Sequence, residues 1–217
     1  MRAVGVVDVV YWRESDPARR AELAAADGFD HIDVGTQVVD DGVALALDVG
    51  CPTAFPKPQA RWCTTPAPAR GDDPDAAWER TVRWWRAAPQ ALLEPWKGAS
   101  VHSMETFLAL RDEVPHVRLL VDTGHVADWG GDVMELLPYA DHVQLRQGAP
   151  GRTQLHVDDP DGVIDFAAVL ARLDSLDYRG AFSVEYFDLP DFGWHLDDPR
   201  GWAVDLQNAV RRLQHAG

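Results

Sequence analysis

The feature that most constrains this chain is a rhythm: short apolar runs alternate with amphipathic segments of helical period from the N-terminus to the C-terminus. The runs are Ala3 to Val10, Phe29 to Val34, Val43 to Val49, Arg61 to Thr65, Ala91 to Glu94, Val117 to Asp122, His142 to Leu145 and Ala181 to Tyr186. Each is too short for a helix and reads as a buried strand. Between them, Pro17 to Ala26 reads as a helix with a small-residue face. Asp73 caps a helix with Pro74 at its first position, and Trp78, Val82 and Trp85 share one of its faces. Ser103 caps a helix carrying Phe107, Leu108 and Leu110. Further helices fall around Val133 to Tyr139, at Val163 to Leu176, and after Asp198 and Pro199, where Trp202, Leu206, Val210 and Leu213 form one stripe.

Strands separated by helices pair in parallel through crossovers. The expected fold is therefore α/β, a compact (β/α)8 TIM barrel in one domain over residues 1–217. It is shortened between strands two and four, where TQVVDDG and CPTAFPKPQ leave no room for full helices. A doubly wound sheet is the competitor, but no phosphate-cradling glycine loop follows the first strand.

Charge excludes more than composition does. With 20 basic and 35 acidic side chains the net charge is −15 at pH 7. Such a surface repels phosphate backbones, so nucleic acid is not an expected partner. No apolar run reaches the length of a membrane span, and the N-terminus lacks the pattern of a signal peptide, so a cytoplasmic protein is expected. Cys51 and Cys63 read as reduced thiols.

In a barrel of this kind the chemistry sits at the C-terminal ends of the strands. Four polar residues stand there: Glu94 ends ALLE, Asp122 ends VRLLVD, Gln144 lies in DHVQLRQ, and Glu185 ends AFSVE. Carboxylates are costly in an apolar mouth unless paired or bound to metal, and three would repel one another without a cation between them. Four oxygen donors suit one divalent ion, Mn2+ or Mg2+. The structural alternatives are a loop start for Glu94, a turn cap for Asp122, backbone satisfaction by Gln144, and an ion pair of Glu185 with Arg179 or Arg152.

The blocks LLEP (92–95), LLVDTGH (119–125), HVQLRQ (142–147), PGR (150–152) and GVIDFAAVLARLDSLDYRGAFSVE (162–185) resemble the xylose-isomerase-like sugar isomerase/epimerase superfamily. Most members of that superfamily carry His-x-His in the seventh strand; Gln144 in place of the second histidine, with the Pro-Gly-Arg that follows, is similar to the hydroxypyruvate isomerase branch. The resemblance implies that Glu94, Asp122, Gln144 and Glu185 bind metal, and that His125 and Arg152 contact substrate. The expected reaction is isomerisation or epimerisation of a small hydroxy-carbonyl compound or sugar through an enediolate. Glu94 and Glu185 would be the catalytic pair that removes and returns the proton.

Three rivals remain at this level. One is a metal-dependent sugar dehydratase or lyase on the same scaffold, and another a non-catalytic barrel that binds a small metabolite. The third, an AP-endonuclease-like activity, would require further histidine ligands on the early strands, where only His31 is present. His142 reads as a satisfied core histidine or as a residue orienting Asp122 or Gln144. His156 reads as a surface residue. Phe192, Trp194 and His195 fall near the mouth, either roofing the pocket or packing against another subunit, with ordinary packing of Trp194 as the default, and the Trp residues toward the chain ends point to a homodimer.

Overall fold

The computed structural model describes residues 1–36, 46–52, 60–64, 73–89, 91–190 and 193–216, with the backbone alone described at 36, 46–52 and 60–64. Eight strands close into a barrel in the order β1 (Val4–Val7), β10 (Phe182–Val184), β7 (Ala140–Leu145), β6 (Arg118–Asp122), β5 (Ala91–Glu94), β4 (Ala60–Thr64), β3 (Ala46–Pro52) and β2 (His31–Thr36). The expected α/β barrel is thus present. One strand departs from the (β/α)8 pattern: β3 runs antiparallel to both β2 and β4, whereas every other neighbouring pair in the barrel is parallel. A parallel return needs a crossover of roughly a dozen residues or more, and the connections 37–45 and 53–59 are shorter than that. The segments TQVVDDG and CPTAFPKPQ fall largely in those connections, outside the described residues, and the expected third strand, Val43 to Val49, is displaced toward the C-terminus.

Helices cover the remaining crossovers. Asp16 caps α1 (Pro17–Ala26) and Asp73 caps α2 (Pro74–Ala87), each with proline in the first turn. Ser103 and Thr106 form a capping box at α3 (Met104–Glu113), although Leu108 faces solvent rather than the core. Then come α4 (Thr123–Asp128), α5 (Val133–Leu136), α6 (Phe166–Ser175, capped by Asp165) and α7 (Pro199–Ala216). No described helix is long and apolar enough to cross a membrane. The first apolar run is cut short: after Val7 the chain turns into a 3-10 segment, Asp8–Tyr11, in which the buried Asp8 carboxylate accepts from the Arg20 guanidinium and the Gly35 amide.

Alternation along the strands sorts the core into two zones. Outward residues such as Val121, Val143, Leu145 and Val184 join the large cluster under the helices. Inward residues Val7, Leu92 and Leu120 form a small apolar plug inside the barrel. Beside the plug, His31, Asp33, His142 and Ser183 bond across three strands. His142 Nε2 lies 3.0 Å from Asp33 Oδ2 and 3.1 Å from Ser183 Oγ, which also meets His31 Nε2 at 3.1 Å. Gly5 makes room for this group, since a Cβ there would fall 2.2 Å from His31 Nε2. A small antiparallel ribbon, β8 (Gln147–Ala149) with β9 (Arg152–Leu155), projects beyond β7.

Candidate active site

Two residues farther along the same strand faces, the interior changes character. Glu94 is the last residue of β5, Asp122 the last of β6, Gln144 lies near the end of β7, and Glu185 directly follows β10. The register places Asp122 opposite Gln144, and Gln144 opposite Ser183, so the four side chains converge at one end of the barrel. All four are buried. His125 comes from the first turn of α4. One ligand atom from each of Glu94, Asp122, His125 and Glu185 lies within 4.8 Å of all the others.

Asp122 does two jobs. It caps α4, its Oδ1 accepting from the His125 amide at 2.9 Å, while Oδ2 accepts from Arg146 Nη2 at 2.5 Å. The same Nη2 lies 3.3 Å from Glu185 Oε2. Arg146 is fully buried, and its guanidinium stacks 4.4 Å from the Phe187 ring centroid. Sequence reasoning missed this residue. The signal was present, since His142, Gln144 and Arg146 alternate onto one strand face, but attention to acidic strand ends passed over a cation. Glu185 pairs with Arg146, and with neither Arg179 nor Arg152.

The electrostatics follow from burial. Burial, reinforced by the Asp122 charge and opposed by Arg146, pushes the Glu94 carboxyl up to about 8. Glu185 is raised well above the carboxylate range, first by burial, which outweighs the attraction of Arg146. Burial would also raise Asp122, but the Arg146 guanidinium, aided by hydrogen bonds from Glu185 and the His125 amide, outweighs it and holds this carboxyl low. Burial takes His125 down to about 3, so its imidazole is neutral.

Several buried atoms here have no hydrogen-bond partner: Glu94 Oε1, both amide atoms of Gln144, His125 Nδ1, and Arg146 Nε and Nη1. Buried polar groups are ordinarily bonded, and a cluster of exceptions marks a place for a ligand. When all three carboxylates are ionised, Arg146 leaves two negative charges in balance with a divalent cation. Gln144 Oε1, Glu94 Oε1 and the carboxylates are hard oxygen donors, so the residues present fit such an ion.

Indole rings cover this end. Trp96 and Trp194 each stand 6.2 Å from the His125 ring and 6.1 Å from each other. Trp194 is fixed by paired backbone bonds to Leu189 and packs on Phe187. It therefore roofs the site; Phe192 lies outside the described residues. Beyond the two indoles is a cavity of about 450 Å3 whose wall includes Lys97, Asp128, Arg152 and His195. None of the three carboxylates lines it. Arg152 is thus apart from the carboxylate cluster, half exposed at the rim and paired with Asp161 at 2.9 Å. His142 belongs to the bonded group below, with Asp33 and Ser183, and His156 pairs with Asp205 at the surface.

Residues 20–213 match the family model described as "xylose isomerase-like TIM barrel". The chain belongs to this family. A sequence search of curated proteins gives no match. Solved structures with the same architecture include the D-psicose 3-epimerase of Clostridium cellulolyticum H10, determined with D-tagatose (TM-score 0.68, 13% identity, 97% of this chain and 99% of that one). A 3-keto-D-glucoside 4-epimerase of E. coli matches at TM-score 0.66 and 12% identity, covering 98% of this chain and 100% of that one. An AP endonuclease, family 2, from Brucella melitensis matches at TM-score 0.58 and 15% identity, over 86% of this chain and 93% of that one. At such identities the likeness establishes the fold, and function must be argued from the site of this xylose isomerase-like barrel itself.

Proposed function

We propose that the protein is a divalent-metal-dependent isomerase or epimerase of a small hydroxy-carbonyl compound or sugar, hydroxypyruvate-isomerase-like in its ligand set, using Mn2+ or Mg2+. The observation that carries this reading is the convergence of Glu94, Asp122, Gln144 and Glu185 at the strand ends, with buried donor atoms left without partners. The printed activities of two similar structures, both sugar epimerases, support it.

The ion, held by Glu94, Asp122, Gln144 and Glu185, would offset charge that develops on adjacent substrate oxygens. Glu94 and Glu185 approach from different strands, and their burial makes each a stronger proton acceptor than a surface carboxylate. One removes the proton from the carbon beside the carbonyl, and the other returns it. His125, neutral and with a free Nδ1, hydrogen-bonds a substrate oxygen. Trp96 and Trp194 exclude water and present ring faces to the C–H surface of a sugar. Arg152 at the rim fixes a distal hydroxyl or carboxylate.

The experiment is a metal assay of protein purified without chelator, followed by turnover of hydroxypyruvate and small ketoses with added Mn2+. Metal-stimulated interconversion supports the proposal. Absence of both bound metal and turnover after Mn2+ loading would replace it with the small-metabolite-binding barrel.

A further inference from the structure

Arg146 is a cation standing where a cation is to bind. Its position is over-determined. The Thr123 hydroxyl accepts from the Arg146 amide at 2.8 Å and donates to the Arg146 carbonyl at 2.7 Å, clasping the backbone. Phe187 supports one face of the guanidinium. Gly124 leaves the space its stem occupies: a Cβ there would meet Arg146 Nε at 2.6 Å and the Thr153 carbonyl oxygen at 2.3 Å. The charge is permanent, because a guanidinium does not lose its proton in proteins.

This arrangement divides the donor set in two. Glu94 Oε1, Gln144 Oε1 and His125 Nδ1 make no hydrogen bond, and Glu94 Oε1 lies 3.7 Å from His125 Nε2. Asp122 Oδ2 and Glu185 Oε2 are engaged by Nη2. A divalent ion that draws on Asp122 and Glu185 must share them with a buried positive charge only a few ångströms away, with little water to screen it. A bystander arginine would sit at the back of one ligand; this one bridges two.

We propose that Arg146 is a built-in counter-cation that competes with the divalent ion for Asp122 and Glu185, keeping ion binding weak and holding these carboxylates together when no ion is bound. This rests on the metal site proposed above. Because the competition is electrostatic, a neutral side chain of similar volume relieves it and a lysine does not.

The test is a Mn2+ titration of wild type, Arg146→Met and Arg146→Lys, following the electron paramagnetic resonance signal of the free ion. Arg146→Met should bind Mn2+ on the order of tenfold or more tighter than wild type, with Arg146→Lys close to wild type. Equal or weaker binding by Arg146→Met, with wild type binding normally, overturns the competition and leaves the metal site standing. Tight binding by the variant with none by wild type upholds the competition in its strongest form and removes the metal from the native reaction. No binding by any of the three overturns both. Should Arg146→Met unfold without metal, its melting temperature is followed against Mn2+ concentration. A steeper Mn2+-dependent rise than in wild type supports competition, and an equal or smaller one overturns it.

Discussion

The barrel interior holds two polar groups stacked along the same strand faces, and they are opposites. His31, Asp33, His142 and Ser183 bond among themselves, and none of their buried side-chain atoms lacks a partner. Two residues farther on, Glu94, Gln144, His125 and Arg146 all carry buried atoms that bond to nothing. A closed polar network specifies a core; an open one of like charges is costly unless something completes it. Burial alone does not separate scaffold from site here, since both groups are equally hidden. Satisfaction separates them.

The largest effect expected of this contrast is on turnover. Glu185→Gln should lower kcat by about a thousandfold, as loss of a positioned acid or base does, with circular dichroism unchanged. Near-normal kcat in this variant and in Glu94→Gln would break the contrast at its functional end. In the closed group the consequence should be structural instead. His142→Leu removes the hydrogen bonds that this imidazole makes to Asp33 and Ser183, and a cost of about 3 kcal/mol is expected in urea unfolding, with Mn2+ affinity little altered. Between the two, Gly124→Ala should cost about 2 kcal/mol, because the new methyl meets a backbone carbonyl as well as Arg146.

A pH dependence sharpens the comparison. Burial pushes the Glu94 carboxyl up to about 8 in the fold, from the ordinary 4.5, so above 4.5 the unfolded chain releases a proton that the fold retains. Its contribution to stability therefore falls as pH rises from about 4.5 to 8 and levels off above that. Unfolding free energies measured in chelator across this range should decline less steeply in Glu94→Gln than in wild type, and identical slopes would contradict the assignment. The smallest effect belongs to the rim: Arg152→Ala should raise KM several-fold, by about 1 kcal/mol, with kcat nearly unchanged.

Much of this was legible from residue order. Glu94, Asp122 and Glu185 could be found because each closes an apolar run, and strand ends are where a barrel keeps its chemistry. The helix start at Pro17 was visible from its small-residue face, and those at Pro74 and Pro199 from an aspartate followed by proline. The direction of β3 was not taken from the sequence, although the length of its connections contained it. Arg146 was marked only by its alternation with His142 and Gln144, because a guanidinium's partners are set by three-dimensional approach from β6 and the end of β10. The β8–β9 ribbon escaped, its turn resting on Gly151 in a positive-φ conformation.

Asp122 has one more consequence. A carboxylate that both caps a helix and belongs to the donor cluster makes whatever binds that cluster a partner in the helix's own folding equilibrium. The amide of His125 becomes a reporter: its rate of exchange with deuterated solvent should register whether the neighbouring carboxylates hold an ion.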